Sequence, residues 1–140
     1  MGRRLILDTM ALVDAERGTA LGLYPDDDIA IAAVSLAEFG RGIHTAKSAE
    51  QAEHRQRTFD LLAGGRSPYG ERAVNVLDYT AETARNHARL LAFAKESGQP
   101  RGAHDLIIAA HARQTGRRIF SRDARAKFGG LPGVLTSDDD

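Results

Sequence analysis

The sequence contains no cysteine. This absence excludes disulfide bonds, zinc sites built on thiolates and cysteine nucleophiles, and it fits a reducing compartment. The chain also lacks any apolar run close to the ~20 residues that a membrane-spanning helix needs. Its basic start leads into an apolar stretch that Asp8 interrupts, which is unlike a secretory signal peptide. We therefore expect a soluble, cytoplasmic protein without a membrane-spanning segment.

An excess of charge of either sign is absent as well. Nineteen Lys and Arg residues balance nineteen Asp and Glu residues, so the net charge gives no argument for electrostatic binding of nucleic acid. The chain has 140 residues, and a chain of this size can bury roughly 70% of the surface that its unfolded form exposes. We expect one domain over residues 1–140.

Short apolar segments alternate with helical patterns along the chain. Buried strands that alternate with helices indicate an α/β fold with a parallel sheet. The predicted strands are LIL at 5–7, DIAIAAVS at 28–35, AVNVLDY at 73–79 and RRIFS at 117–121, with GVLT at 133–136 as a candidate fifth. The predicted helices lie at 9–17, 35–44, 49–63, 80–98 and 105–115.

Acidic residues fall where these elements begin or end. Asp8 directly follows the first predicted strand, and Asp123 lies just past the fourth. Glu38 and Asp105 fall on the first turns of predicted helices. Sites in open parallel sheets lie outside the carboxyl ends of the strands. A shared site for the four acids is therefore one interpretation.

Each acid also has a purely structural interpretation. Ser35 and Glu38 fit the S-x-x-E capping box, in which the glutamate satisfies a backbone donor. Asp105 and Asp123 fit N-cap or first-turn positions, where the positive end of the helix dipole favours an acid. Asp8 is harder to explain in this way, because it separates two apolar runs and a charged residue is rarely placed there without a partner.

Carboxylates brought together repel one another unless a cation neutralises them. Mg²⁺ and Mn²⁺ prefer oxygen ligands, and they lower the pKa of a bound water and stabilise charge on a phosphate. No pair among the five histidines has a zinc-ligand spacing such as H-E-x-x-H. A shared acidic site would therefore favour phosphodiester chemistry with magnesium or manganese over zinc chemistry.

Four motifs carry one acid each: LILDTMALV, SLAEFGRG, GAHDLIIAAHA and IFSRD. In order, spacing and local context they resemble the PIN domain, most of all the VapC ribonuclease toxins of type II toxin–antitoxin pairs, and they cover the chain nearly end to end. The resemblance implies a three-layer α/β/α fold with a short, mainly parallel central sheet of four to five strands. It also implies a metal-dependent endoribonuclease, in which a metal-activated water attacks an RNA phosphodiester and leaves a 5′-phosphate and a 3′-hydroxyl.

By position, the resemblance assigns the four acids to one catalytic cluster that holds Mg²⁺ or Mn²⁺. It makes Asp8 and Asp105 metal ligands, and it makes Glu38 and Asp123 ligands that bind directly or through water.

Further residues take supporting roles under the same resemblance. Thr9 and Ser121 are candidates for hydrogen bonds to a metal ligand or to a water. Three other residues are weaker candidates for contact with RNA: Arg122, Arg118 and His104.

The resemblance also implies partners. It predicts a homodimer that is inhibited by a small VapB-type antitoxin, which folds against the toxin and inserts a basic side chain near the acids. One departure concerns Met10, because many relatives have asparagine at this position. Methionine cannot make the hydrogen bonds of an amide, so we expect the support of Asp8 to differ here.

Three other functions remain open on the sequence. A phosphatase with an aspartyl nucleophile would have a second acid where Met10 stands. A receiver-like signalling module would have adjacent acids early in the chain and a lysine after a late strand, where this chain has Ser121, Arg122 and Asp123. A catalytically degenerate PIN-like scaffold that binds RNA or protein would not need all four acids. The sequence does not identify the target RNA.

Overall fold

A five-stranded parallel sheet forms the centre of the computed structural model, which describes residues 2–16, 22–68, 70–121 and 128–137. The strand order is β3-β2-β1-β4-β5, and each neighbouring pair is parallel. The bounds are β1 Arg4–Leu7, β2 Asp28–Ala32, β3 Val74–Leu77, β4 Arg118–Phe120 and β5 Leu135–Thr136. The predicted parallel sheet of four to five strands is confirmed.

The central strand β1 is buried on both faces. Leu5, Ile6 and Leu7 are fully buried. Because successive side chains on a strand point to opposite faces, Ile6 packs into one hydrophobic cluster and Leu7 into the other. A strand covered on both sides needs a continuous apolar run, and LIL supplies it.

Helices cover both faces of the sheet, which gives the three-layer architecture that the resemblance implied. Residues of α1, α2 and α3 pack around Leu7 and Ile31 on one face. Residues of α4 and α5, together with a 3₁₀ turn at Phe128–Gly130, pack around Ile6 and Ile119 on the other. The helices are α1 Thr9–Glu16, α2 Ala33–His44, α3 Ala49–Ala63, α4 Ala81–Ser97 and α5 Ala103–Thr115.

The start of α2 differs from the prediction. Strand β2 ends at Ala32 and α2 begins at Ala33, with Ala32 as an N-cap that makes no side-chain hydrogen bond. Ser35 therefore lies inside the helix and is fully buried. The capping-box interpretation of Ser35 and Glu38 is wrong, and Glu38 lies on the second turn rather than the first. The cause is the direct passage from strand into helix, which leaves no room for a separate cap.

The start of α5 also lies earlier than predicted. The helix begins at Ala103, and Gly102 is its N-cap. Asp105 is consequently the third helical residue and not the cap, although it does lie in the first turn, as expected.

The predicted bounds of α4 are confirmed. The Thr80 side chain accepts a hydrogen bond from the backbone N–H of Thr83, and Gly98 ends the helix with a positive φ of 66°. In the part of the chain that the structure describes, no helix is both long and apolar enough to cross a membrane.

Candidate active site

Asp8 lies at the carboxyl end of β1 and is only 3% exposed. Its Oδ1 accepts a hydrogen bond of 2.9 Å from the backbone N–H of Ala11, so Asp8 is the N-cap of α1. Its Oδ2 accepts a hydrogen bond from the hydroxyl of Ser121. Hydrogen bonds thus hold both oxygens of this carboxylate in place.

Ser121 reaches Asp8 because of the register of the sheet. Leu7 of β1 lies beside Phe120 of β4, so the next residue of each strand also lies at the carboxyl end. The backbone N–H of Asp8 donates to the carbonyl of Phe120 at 3.3 Å, which continues the pairing past the end of β1. The strand pairing therefore sets the contact between the serine hydroxyl and the carboxylate.

Glu38, on the second turn of α2, is held from two sides. Its Oε1 accepts a hydrogen bond of 2.9 Å from Thr9 Oγ1. Its Oε2 lies 2.7 Å from Nδ1 of His104. Thr9 is the first residue of α1, and His104 lies in the first turn of α5. One carboxylate therefore links the starts of two other helices.

These contacts bring three of the four predicted acids to the same end of the sheet. The residue after Asp8 and the residue before Asp105 both contact Glu38. Asp105 itself is partly buried, and a Cβ added at Gly102 would lie 2.8 Å from its Oδ2. The Asp105 carboxylate is thus folded back towards the N-terminus of α5, where the helix dipole favours a negative charge.

The fourth acid, Asp123, and its neighbour Arg122 lie outside the described residues. Within the described ranges, no three His, Asp or Glu side chains form a ready-made metal cage. The side chains at this site nevertheless suit a hard divalent cation. They offer carboxylate and hydroxyl oxygens as metal ligands, with no thiolate among them. The fixed, nearly buried carboxylate of Asp8 is the strongest element of that fit.

Two further residues singled out in the sequence are Arg118 and Met10. Arg118 is the first residue of β4, at the amino end of the strand, and its Nη1 donates to the carbonyl of Thr136 at 3.1 Å. This position does not direct it towards Asp8. Met10 is 48% exposed, and Asp8 accepts hydrogen bonds from Ser121 and from the backbone N–H of Ala11 in α1.

The sequence reasoning missed two features of this site. It did not predict that Asp8 caps α1, and it placed His104 as a weak RNA contact rather than as a partner of Glu38. The available signal for His104 was its position next to Asp105, which puts it at the same helix start. The signal for Asp8 was its position directly before a helix, where aspartate is a favoured N-cap.

Comparison with known proteins agrees with this geometry. The sequence model of the PIN domain matches residues 5–129, a range that contains all four motif acids. The chain belongs to the PIN-domain family. The predicted resemblance is therefore confirmed.

Individual relatives narrow the assignment of this chain within the PIN-domain family. It is 31% identical over 108 residues to the tRNA(fMet)-specific endonuclease VapC of Shigella flexneri, and the match covers 77% of this chain and 73% of that protein. It is 26% identical to a chain of VapBC-5, a member of the VapBC family of toxin–antitoxin systems from Mycobacterium tuberculosis. That match has a TM-score of 0.74 and covers 95% of this chain and 96% of the other.

A third relative supports the fold alone. The PIN domain superposes on a chain of VapBC2 from Rickettsia felis, bound to a DNA fragment from its promoter, with a TM-score of 0.77 and 21% identity. The match covers 96% of this chain and 97% of that chain. Together, the sequence and structure similarities make this a VapC-like PIN domain.

Proposed function

We propose that this PIN domain is the toxin of a type II toxin–antitoxin pair and acts as an endoribonuclease that requires Mg²⁺ or Mn²⁺. The observation that carries the proposal is the connected set of contacts at the carboxyl end of the sheet. There, Asp8 is held by Ser121, and Glu38 is held by the immediate neighbours of Asp8 and Asp105. Such a set in a VapC-like chain supports nuclease chemistry over a purely structural role for the acids.

The acids are the residues that would hold the cation. Asp8 and Asp105 would bind it directly, while Glu38 and Asp123 would bind it directly or through water. A divalent ion at such a site supplies a water of lowered pKa and stabilises the negative charge that develops on a phosphate. Hydrolysis adds the water across the P–O3′ bond, so one product carries a 5′-phosphate and the other a 3′-hydroxyl.

The protein's own contribution is to fix the ligands before the substrate arrives. The N–H of Ala11 and the hydroxyl of Ser121 orient the Asp8 carboxylate. The hydroxyl of Thr9 orients Glu38. Hydrogen bonds of this kind from neighbours to a ligand set its direction and raise metal affinity. A site that is already organised does not have to reorganise during the reaction.

The partners follow from the same proposal. We expect an antitoxin of the VapB type, an RNA substrate and a homodimeric toxin, all in the cytoplasm. The Shigella flexneri relative is named for action on tRNA(fMet), so initiator tRNA is the first substrate to test.

The test compares wild type with Asp8→Asn, each expressed without a partner in a bacterial host. Asparagine is a good N-cap. Its Oδ1 still accepts from the N–H of Ala11, and its Nδ2 can donate to the hydroxyl oxygen of Ser121, so the variant should fold. Asp60→Asn is the matched control, because Asp60 is exposed on α3 and its Oδ1 accepts a local hydrogen bond from Gln56. Growth is followed, and new 5′-phosphate RNA ends are mapped across the transcriptome.

Wild type and Asp60→Asn should arrest growth and create discrete new RNA ends, and Asp8→Asn should do neither. In vitro, cleavage by the purified wild type should stop on chelation and return with Mg²⁺ or Mn²⁺. Arrest that persists in Asp8→Asn would overturn the acidic-site mechanism. Folded wild-type protein that produces no new RNA ends would favour the scaffold alternative.

A further inference from the structure

Each of the two carboxylate oxygens of Glu38 has a polar side chain within hydrogen-bond distance. Thr9 donates to Oε1 at 2.9 Å, and His104 lies 2.7 Å from Oε2. The glutamate side chain is 24% exposed, so it lies at the boundary between the core and the solvent. A free glutamate in such a place would sample several rotamers, and fixing one of them costs side-chain entropy. The two donors offset that cost before any ligand binds.

The role of His104 as a donor follows from the chemistry of the contact. A carboxylate that is ionised can only accept hydrogen bonds, so Nδ1 of His104 must carry the hydrogen. This is true of the protonated ring and of the neutral Nδ1–H tautomer alike. The bond to Glu38 therefore does not require a positively charged histidine.

We propose that His104 is a positioning residue for the cation site, acting through the bond from its Nδ1–H to Glu38 Oε2. The inference rests on the proposed function, because it assumes that Glu38 serves a divalent ion. Each carboxylate oxygen has about two acceptor positions, so Glu38 can keep both hydrogen bonds and still face a cation or its water. His104 thereby fixes Glu38 to the first turn of α5, the turn that also carries Asp105.

A purely structural role for this contact is a poor alternative. The His104 side chain is 50% exposed, and exposed pairs of this kind contribute little to folding stability. Removal of the ring should therefore leave the fold intact while it releases the Glu38 carboxylate. Cation affinity and stability are thus expected to respond differently to the same substitution.

The experiment measures Mn²⁺ binding to the full chain by calorimetry, with thermal unfolding in the absence of metal as a second reading. His104→Ala removes the donor. His104→Asn restores a neutral donor close to the position of Nδ1. His44→Ala is the matched control, because His44 is exposed at the end of the same helix as Glu38. Asp8→Asn tests the cation site itself.

We expect His104→Ala to weaken Mn²⁺ binding about tenfold, as is usual when a residue that orients a metal ligand is lost. His104→Asn should bind within about threefold of wild type, and His44→Ala should match wild type. The midpoint of unfolding without metal should be unchanged in all three.

Equal affinity in His104→Ala and wild type would overturn the positioning role, as would His104→Asn binding as weakly as His104→Ala. Neither result contradicts the proposed function, provided that Asp8→Asn still abolishes Mn²⁺ binding. Wild-type binding that Asp8→Asn leaves intact would instead overturn the proposed metal site.

Discussion

The hydroxyl of Ser121 donates a hydrogen bond to Asp8 Oδ2, although the two residues lie 113 positions apart in the chain. Ser121 follows β4, and Asp8 follows β1, and these two strands are neighbours in the sheet. The contact therefore exists only when the parallel pairing of β1 and β4 has formed. The contact thus couples correct folding of the sheet to the orientation of Asp8, the most deeply buried of the three described acids of the proposed site.

Replacement of Ser121 by alanine should reduce Mn²⁺ affinity and RNA cleavage by about tenfold, because one oxygen of Asp8 loses its orienting donor. Ser121→Thr keeps a hydroxyl and should retain most of both. Ser97→Ala is the control, since the hydroxyl of Ser97 donates a local hydrogen bond to the carbonyl of Ala94 at an exposed helix end. Calorimetry and a cleavage assay measure the effect. Equal loss in the alanine and threonine variants would show that the hydroxyl is not the cause.

Replacement of Ser35 by alanine should leave the free energy of unfolding unchanged or raise it by up to about 1 kcal/mol. The hydroxyl of Ser35 is fully buried and has no hydrogen-bond partner among the described residues, so its desolvation is uncompensated. Alanine is also the better helix former. A capping serine would behave in the opposite way, because its loss costs about 1 kcal/mol. Urea unfolding of the variant decides between the two, and Ser48→Ala, which removes the observed N-cap of α3, shows the size of a true capping effect.

The outcome at Ser35 shows which bounds of helices and strands could be predicted from the sequence and which could not. The apolar run at β1 and the capping threonine of α4 carry strong local signals, and both elements were predicted correctly. The start of α2 was not, because the S-x-x-E pattern is also compatible with a helix that begins two residues earlier. Local pattern does not reveal that β2 passes into α2 without a loop.

For the candidate site, the sequence predicted which residues belong to it but not the contacts between their side chains. The order of the motifs indicated which acids share the carboxyl end of the sheet. The bond between His104 and Glu38 joins side chains from α5 and α2, which no spacing rule along the chain connects. Such contacts depend on how helices from opposite faces of the sheet meet at its edge, and that is a property of tertiary packing.

Two glycines of α2 should respond to alanine in opposite directions. A Cβ at Gly40 would lie 2.9 Å from a ring carbon of Phe59, so either this ring or the two helices α2 and α3 would have to move. A Cβ at Gly42 would meet only the end of the Arg55 side chain, at 3.4 Å, which can shift. We expect Gly40→Ala to cost about 1–3 kcal/mol from overpacking. Gly42→Ala should gain up to about 1 kcal/mol from helix propensity.

Urea unfolding of the two single variants tests this pair, and each serves as the control for the other. Equal effects of the two substitutions would mean that the ring of Phe59 moves aside at little cost. In that case the close approach of α2 and α3 at Gly40 would not need glycine.

Stability should fall when the pH is lowered from about 7.5 to about 5.5, because burial lowers the pKa of His111. The side chain is 2% exposed on α5 and meets the ring of Tyr79 edge-on, with 6.4 Å between centroids. The negative charge of Asp78 opposes the shift, and His87 adds to it. An unfolded histidine has a pKa of about 6.5, so below that value the unfolded chain binds more protons than the folded one. The stabilisation is therefore complete above the unfolded pKa and is lost as the pH falls towards the folded pKa.

His111→Leu removes this titration and places an apolar side chain of similar size at the buried position, so it should flatten the pH dependence of unfolding. Part of the dependence should remain, because burial also lowers the pKa of His87, whose Nδ1 lies 2.8 Å from the hydroxyl of Tyr79. His44→Leu, at an exposed position, should keep the wild-type dependence. Urea midpoints measured across this pH range test the assignment. A His111→Leu curve as steep as that of wild type would place the proton uptake elsewhere, and His87→Leu would then be the variant that flattens it.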